Sequence, residues 1–170
     1  KVYLVSGPSH EKIKNSTIEL IKVQSADEMY QACTKIFENC DVAIMSAAVA
    51  DYTPKIKSTQ KIKKNSSDLN IELTKTVDIL KSLGEQKSKQ ILIGFALETE
   101  NEIENAFSKL ERKNADFIVL NSLNDMGAGF GHDTNKIRIL SKNQSIKEFA
   151  IKSKKEVAAD IIEEVITLLK

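Results

Sequence analysis

Short apolar runs alternate with amphipathic segments along most of the chain. Runs rich in β-branched and aliphatic residues predict buried strands at 2–6, 18–23, 42–45, 91–96 and 117–120, and a short strand near Ile71 and Leu73. Alternating apolar residues at 137–140 and 146–151 predict two further strands, and their close spacing indicates a hairpin. The chain therefore begins on a strand and carries most of its strands as buried, near-continuous apolar runs.

Helices are predicted between and after these strands. Four sets of apolar residues recur at helical spacing: Met29, Cys33, Ile36 and Phe37; Ile79, Leu80 and Leu83; Ile103, Ala106, Phe107 and Leu110; and Val157, Ile161, Val165 and Leu168. Capping boxes precede the first and last sets, formed by Ser25 with Glu28 and by Ser153 with Glu156. Thr76 is predicted to cap the second helix, with Asp78 in its first turn.

Strands followed by amphipathic helices predict an α/β fold of the Rossmann-like, doubly wound type. We expect a mostly parallel sheet with helices on both faces and an antiparallel hairpin at one edge. A length of 170 residues favours a single domain over 1–170. Ligands of such open sheets bind outside the carboxyl ends of the strands, so residues 6–8, 45–51, 95–99 and Asn121 are expected along that rim.

Composition narrows the functional classes. The 25 Lys and Arg nearly balance the 24 Asp and Glu, so no general attraction to nucleic acid is expected. No apolar run reaches the roughly 20 residues needed to span a bilayer, and no signal peptide is visible, so a cytoplasmic protein is predicted. Cys33 and Cys40 fit neither a zinc site nor a disulfide framework and are interpreted as reduced thiols, with Cys33 in a helix core.

Familiar catalytic motifs are missing, which leaves a distributed anion site as the candidate chemistry. The two histidines, His10 and His132, lie in predicted loops, and the first strand is not followed by a dinucleotide-binding glycine fingerprint. Asp51 follows the small-residue stretch 46–50 directly. It either touches a ligand or caps a turn. Lysines are the other candidates, in a loop without acids and one turn apart on a helix flank: Lys55, Lys57, Lys61, Lys63 and Lys64, and Lys109 and Lys113. Solvated surface lysines are the alternative interpretation.

Four strings, in this order and separation, carry a resemblance to a known family. They occupy residues 47–52, 61–64, 93–99 and 127–136. Together they resemble phosphopantothenate–cysteine ligase, the phosphopantothenoylcysteine synthetase of coenzyme A biosynthesis, which in bacteria is often fused to a flavin-dependent decarboxylase. The Ala-Val-Ala-Asp-Tyr string at 48–52 is similar to the bacterial branch that uses CTP, whereas eukaryotic relatives use ATP.

The resemblance implies a set of nucleotide-binding residues. Lys61 matches the lysine of a flexible flap that closes on the reacting phosphate, which makes it the implied catalytic residue. The implied nucleotide contacts are Met45, Ser46, Ala47, Asp51, Lys61, Val77, Asp78, Ile79, Leu80, Phe95, Lys109 and Lys113. Val77 departs from the family, which has proline at this position. No protein metal site is implied.

The implied reaction has two steps. The carboxylate of 4′-phosphopantothenate attacks the α-phosphate of CTP to give an acyl cytidylate and pyrophosphate, and the cysteine amine then displaces CMP. Such a transfer depends on alignment and on charge placed against phosphates, which ammonium groups and a nucleotide-bound Mg²⁺ supply. The resemblance further implies a homodimer, for which the edge hairpin is a candidate surface, and a fused or associated decarboxylase.

One departure from the family lies at the front of the chain. In the family a strand, a glycine- and serine-rich turn and a helix precede the position of Val2, and they carry an asparagine proposed to stabilise the acyl cytidylate. We expect this chain to lack that unit, either as a fragment or because another polypeptide supplies it, and therefore to be impaired as a catalyst on its own. A non-catalytic nucleotide-binding or dimerisation module is therefore an alternative function, as is a generic doubly wound nucleotide-binding protein with another substrate.

Overall fold

The computed structural model describes residues 1–13, 15–63, 69–122 and 133–169. The elements in chain order are β1 (Val2–Ser6), β2 (Ile18–Lys22), α1 (Ala26–Phe37), β3 (Val42–Met45), β4 (Tyr52–Pro54), β5 (Leu73–Lys75), α2 (Ile79–Gln86), β6 (Ile91–Glu98), α3 (Glu102–Arg112), β7 (Phe117–Ser122), β8 (Thr134–Asn135), β9 (Ile137–Ser141), β10 (Ile146–Glu148), β11 (Lys152–Ser153) and α4 (Lys154–Leu168). They form two compact units, one of Lys1–Lys35 and Ala47–Ile79, the other of Ile36–Ser46 and Leu80–Lys170.

In the first unit, β1 and β2 form a parallel pair that leads into α1. The register runs from Val2 opposite Ile18 to Ser6 opposite Lys22, and the amide of Val23 continues it by donating to the Ser6 carbonyl at 2.9 Å. Ser25 caps α1 as predicted, because the Glu28 amide donates to Ser25 Oγ at 3.2 Å, but the second bond of a capping box comes from Gln24 and not from Ser25. The Glu28 carboxylate in turn accepts from the Gln24 amide at 2.8 Å. Local sequence therefore determines where α1 begins.

A second feature of this unit is a two-stranded antiparallel ribbon, here called the arm, of residues 52–56 and 71–75. In β4 and β5, Pro54 lies opposite Leu73, and the Lys55 amide extends the ladder to the Glu72 carbonyl at 2.9 Å. One face of the arm is polar, with a 2.7 Å ion pair between Lys55 and Glu72. The other face carries apolar side chains that are more than half exposed: Tyr52, Ile56, Ile71 and Leu73.

The second unit is built on a five-stranded sheet of order β10-β9-β7-β6-β3. Strands β3, β6 and β7 are parallel, whereas β9 and β10 run antiparallel and form the hairpin predicted for the sheet edge. The predicted strand at 146–151 is shorter than expected, since β10 covers only Ile146–Glu148. The parallel strands arise from near-continuous apolar runs because both of their faces are covered.

Helices cover the two faces of this sheet. Helix α4 packs through Val157, Ile161 and Val165 on the cluster that contains Ile93, Phe117, Val119, Ile137 and Ile139. Helix α3 packs through Ala106 and Leu110 on the opposite cluster, which contains Ala96, Ile118, Leu120 and Leu140. Each fully buried Leu, Ile or Phe side chain contributes about 1.5–3 kcal/mol. The predicted α/β fold, with a mostly parallel sheet between helices and an antiparallel edge hairpin, is confirmed.

The start of α2 was predicted wrongly. The helix begins at Ile79, so Thr76 does not cap it and Asp78 lies before its first turn. The Thr76 hydroxyl instead donates to the carbonyl of Ala50 at 2.7 Å, a tertiary hydrogen bond between residues 26 apart in sequence. The prediction for Cys33 is confirmed, since it is buried in α1. Lys64 and the glycine-rich residues 127–131 lie outside the described residues.

Candidate functional site

Three loop segments of the first unit enclose a cavity of about 430 Å³. One segment follows the carboxyl end of β1, the second joins β2 to α1, and the third is the small-residue stretch 47–50. The lining residues are Ser6, Gly7, Pro8, Ser9, Val23, Gln24, Ser25, Ala26, Met29, Ala47, Ala48, Val49 and Ala50. The volume lies within the range of small-molecule sites. Its place at the carboxyl ends of parallel strands is where open α/β sheets bind ligands.

Glycine and serine residues form the cavity wall after β1. Gly7 faces α1, and a Cβ at that position would meet Met29 Cε at 4.0 Å, an ordinary contact distance, so the glycine is not required by packing there. The hydroxyl of Ser6 donates to the Gly7 carbonyl at 2.9 Å, and Ser9 Oγ accepts from the Glu11 amide at 3.1 Å. These bonds hold the loop after β1 while leaving backbone and hydroxyl groups along the cavity wall.

Backbone bonds bring Asp51 next to the predicted nucleotide segment that begins at Val77. The Thr76 amide donates to the Asp51 carbonyl at 2.9 Å, and the Thr76 hydroxyl binds the neighbouring carbonyl of Ala50. Asp51, Val77 and Asp78 are all exposed. Asp51 is therefore hydrogen-bonded to the residue that precedes Val77. In the chain it directly follows the cavity-lining stretch 47–50.

Lys61 lies in the exposed segment that follows the first strand of the arm. Of the lysines predicted there without acidic partners, Lys55 is paired after all, because the arm brings Glu72 to it from 17 residues further along the chain. Three others are exposed: Lys57, Lys61 and Lys63. An exposed ammonium on an irregular segment can move toward a bound phosphate.

In the second unit, Met45 and Leu80 meet at Gly94. Met45 at the end of β3 lies opposite Gly94 of β6 in the parallel register. A Cβ at Gly94 would lie 2.5 Å from Leu80 Cδ2 and 2.9 Å from Ile118 Cδ1, so a larger residue there would displace the Leu80 and Ile118 side chains. This close packing positions Leu80, and it explains the glycine in the string 93–99. Ser46 follows Met45 and is exposed.

Phe95 and the two α3 lysines lie on opposite faces of the five-stranded sheet. The Phe95 ring packs against the cluster under α4, whereas Lys109 belongs to α3 and Lys113 is its C-cap. Both lysines are half-buried. The Phe95 ring therefore lies on the face of the sheet opposite to helix α3, which carries these lysines.

A charged cluster at the carboxyl end of β7 was not predicted from the sequence. Glu102 accepts a hydrogen bond from Ser122 and pairs with Arg138 at 2.9 Å, and Arg138 also contacts Glu148 at 3.0 Å. Burial alone would lower the pKa of Arg138, but the hydrogen bond to Glu102 and the charge of Glu148 outweigh it and raise that pKa above its ordinary value. The cluster ties α3 to the strands β7, β9 and β10.

Gln24, Ser25 and Ala26 are the cavity residues that sequence reasoning missed. The carboxyl-end rule applied to the strand 18–23 would have indicated them, since they follow it directly. Within the described residues, no three His, Cys, Asp or Glu side chains converge as a metal-ion site requires. In that same part of the chain, each helix is too short or too polar to cross a bilayer.

Comparisons with known proteins connect this geometry to a family. The family described as "DNA/pantothenate metabolism flavoprotein C-terminal domain" matches residues 1–169. A protein of an unknown prokaryotic organism named "Cysteine/Cysteine sulfinic acid decarboxylase" is 52% identical over 99% of this chain and 47% of its own length. The "Coenzyme A biosynthesis bifunctional protein CoaBC" of Bacillus subtilis (strain 168) is 44% identical over 100% of this chain and 42% of its own length. The chain thus spans less than half of each of these relatives.

Solved structures agree with these matches. The crystal structure of the C-terminal domain of a coenzyme A biosynthesis bifunctional protein CoaBC superposes with a TM-score of 0.81 at 39% identity, over 99% of this chain and 74% of the other. A Cab2 mutant in complex with phosphopantothenate-cysteine shares the fold, with a TM-score of 0.64 at 17% identity over 88% of this chain and 52% of the other.

Proposed function

The chain belongs to the family of the DNA/pantothenate metabolism flavoprotein C-terminal domain, and from that premise we propose that it is the ligase part of a coenzyme A biosynthesis enzyme. Its reaction joins 4′-phosphopantothenate to cysteine at the expense of CTP. The likeness to the bifunctional CoaBC proteins supports this assignment. The decarboxylase would then be a fused or associated partner, since the chain matches less than half of those relatives.

The observation that carries the proposal is the cavity at the ends of β1 and β2, next to Asp51. It has the volume of a small-molecule site and is bordered by the stretch 47–50, which belongs to one of the strings that resemble the ligase family. Asp51 in turn adjoins Val77 and Asp78 through the Thr76 hydrogen bonds. The first unit thus contains both the cavity and four of the implied nucleotide-binding positions, which are Ala47, Asp51, Val77 and Asp78.

In the first step, a carboxylate oxygen of phosphopantothenate bonds to the α-phosphorus of CTP, and the bond to pyrophosphate breaks. In the second, the cysteine nitrogen bonds to the acyl carbon, CMP leaves with the electron pair, and the amine proton passes to water. Lys61 would stabilise the charge on the reacting phosphate, and the other implied residues would hold the nucleotide. Mg²⁺ typically binds phosphate oxygens and water with few protein carboxylates, so a nucleotide-bound Mg²⁺ would need no dedicated protein site.

A homodimer is part of the proposal, and the arm is its contact surface. On the polar face of the arm, Lys55 and Glu72 pair with each other. The apolar face exposes hydrophobic area that association would bury, from Tyr52, Ile56, Ile71 and Leu73. The edge hairpin is less suited to this role, because the edge strand β10 is three residues long and carries Lys147 and Glu148. Short, charged edge strands resist pairing with another chain.

A pyrophosphate-release assay tests the proposed reaction. The protein is incubated with CTP, 4′-phosphopantothenate and cysteine, and with each of them omitted in turn. We expect pyrophosphate and CMP in equal amounts with all three present, together with phosphopantothenoylcysteine by mass spectrometry. Binding of CTP by calorimetry without any pyrophosphate release would instead indicate a nucleotide-binding module.

A further inference from the structure

Thr76 joins the inner end of the arm with two hydrogen bonds. Tyr52 lies opposite Lys75 in the ribbon, so the next position of the antiparallel register places Asp51 opposite Thr76. There the Thr76 amide donates to the Asp51 carbonyl at 2.9 Å and continues the ladder. The Thr76 hydroxyl donates to the carbonyl of Ala50 at 2.7 Å, one residue beyond that position. A single residue therefore holds two successive carbonyls of the facing chain segment.

These two bonds restrict the backbone of Asp51. Peptide units are planar, so a residue can turn only about the two dihedral angles that lie between its neighbouring peptide planes. For Asp51, one of these planes contains the Ala50 carbonyl and the other contains the Asp51 carbonyl. Both carbonyls are bonded to Thr76, which limits both angles and fixes the direction of the bond from Cα to Cβ of Asp51. The carboxylate of Asp51 thus leaves the backbone in a direction that Thr76 determines.

The ladder bond alone would hold this end of the arm less firmly. Two-stranded ribbons are marginally stable in water, and the backbone groups at their ends open first. Ala50 and Asp51 are exposed, so water competes for their carbonyls. The outer end of the arm has the Lys55–Glu72 ion pair in addition to its backbone bond, and the hydroxyl bond of Thr76 gives the inner end a second contact as well.

From this geometry, and resting on the proposed function, we propose that Thr76 is a positioning residue for the nucleotide. Asp51, Val77 and Asp78 are implied nucleotide contacts, and Val77 follows Thr76 directly in the chain. Thr76 therefore ties the two segments to each other and orients Asp51 before the nucleotide binds. A site whose groups are already oriented loses less conformational entropy on binding, so its affinity is higher. Thr76 acts through Asp51 and does not have to contact the nucleotide itself.

Removing only the hydroxyl tests this proposal. Thr76→Val keeps the branched shape and the preference for extended backbone, and water can bind the exposed Ala50 carbonyl, so we expect little change in the melting temperature. The Kd of CTP should rise about three- to tenfold, the scale of one lost hydrogen bond. The Kd of 4′-phosphopantothenate and the kcat at saturating CTP should stay within about twofold of wild type. Calorimetry gives the two Kd values, and the pyrophosphate-release assay gives kcat.

Two variants serve as controls. Thr76→Ser retains the hydroxyl and should bind CTP within about twofold of wild type. Thr167→Val removes a hydroxyl bond of the same kind, 2.6 Å from Thr167 Oγ1 to the Glu164 carbonyl in α4, and should change neither Kd. Thr76→Ala also removes the hydroxyl, and it replaces the valine variant if circular dichroism shows that the latter does not fold.

The outcomes separate this inference from the proposed function. The inference is overturned if the wild-type protein forms product and Thr76→Val binds CTP as tightly as wild type does. It is equally overturned if Thr76→Ser binds CTP as weakly as Thr76→Val, or if both substrates lose affinity together, since a general structural role would produce that result. A wild-type protein that binds no CTP and forms no product overturns the proposed function, and this inference with it.

Discussion

The ammonium of Lys87 lies 2.8 Å from the carboxylate of Asp116, although only 8% of the Lys87 side chain is exposed. The same carboxylate accepts the backbone amide of Leu92 at 2.7 Å, and Lys142 approaches it at 3.2 Å from the surface. Burial alone would raise the pKa of Asp116, but the hydrogen bonds from Lys87, Leu92 and Lys142 outweigh it and hold that pKa below its ordinary value. The pair ties the loop after α2 to the amino ends of β6 and β7.

Replacing Asp116 by Asn should therefore destabilise the fold, because Lys87 would be left nearly buried without its counter-charge. We expect a loss of about 2–3 kcal/mol in the free energy of unfolding at neutral pH, measured by urea denaturation. Lys142→Ala removes only the half-exposed partner of the same carboxylate and should cost less than about 1 kcal/mol. Equal losses in the two variants would contradict this account.

The same pair predicts an acid dependence of stability. A carboxyl group with a lowered pKa in the folded state contributes its full stabilisation above the pKa of the unfolded chain, near 3.8, and loses it as the pH falls through the lower folded value. The difference in unfolding free energy between wild type and Asp116→Asn should accordingly be constant above about pH 5 and shrink below about pH 4. A difference that does not change between pH 7 and pH 3 would assign the loss to something other than this titration.

Gly84 is required by the packing of α2 against the end of α3. A Cβ at this position would lie 1.9 Å from the carbonyl oxygen of Lys113, and Asn114 already donates to the Gly84 carbonyl at 2.9 Å. Gly84→Ala should destabilise the protein by about 2–4 kcal/mol, since backbone must move to admit the methyl group. Gly7→Ala is the control, with 4.0 Å to its nearest neighbour, and should change the melting temperature little. Similar melting temperatures for both variants would refute the close contact.

Sequence patterns predicted most strands and helices, because nearby residues determine where these elements form. The buried run at 91–96 forms β6, and the serine of each predicted capping box caps a helix, Ser25 at α1 and Ser153 at α4. The start of α2 was missed because the Thr76 hydroxyl bonds to Ala50, far along the chain, and not to the helix that follows it. At Thr76 a tertiary hydrogen bond replaces the helix cap that the tendency of threonine predicts.

Sequence alone could predict only those parts of the candidate site that follow one strand directly or lie in one short motif. The stretch 47–50 and Asp51 stand out in the sequence, and the structure puts that stretch in the cavity wall. Pairs such as Lys55 with Glu72, or Glu102 with Arg138, join residues 17 and 36 positions apart, and no spacing in a single sequence indicates them. Likewise, the strand periodicity of 93 to 95 shows which side chains alternate, but not that Phe95 shares its face with α4.

Replacing Lys61 is the most direct test of the proposed mechanism. Its ammonium is on the surface and makes no contribution to the core, so Lys61→Ala should leave the melting temperature unchanged. Loss of charge stabilisation at the reacting phosphate should reduce kcat about 100- to 1000-fold in the pyrophosphate-release assay. Lys57→Ala removes another exposed lysine of the same segment and should stay close to wild type. A turnover of Lys61→Ala within a few fold of wild type would remove this residue from the mechanism.

Two substitutions distinguish the arm from the edge hairpin as the surface of self-association. Leu73 is 55% exposed on the apolar face of the arm, and Ile146 is 42% exposed on β10, so each tolerates a charge in the isolated chain. Placing a carboxylate in the middle of an apolar contact leaves it desolvated without a partner. If the proposed dimer forms through the arm, Leu73→Asp should sediment as a monomer in sedimentation-velocity runs, whereas Ile146→Asp should sediment as the wild type does. The reverse result would transfer the contact to the hairpin, and a wild-type monomer at high protein concentration would show that the apolar face of the arm does not mediate self-association.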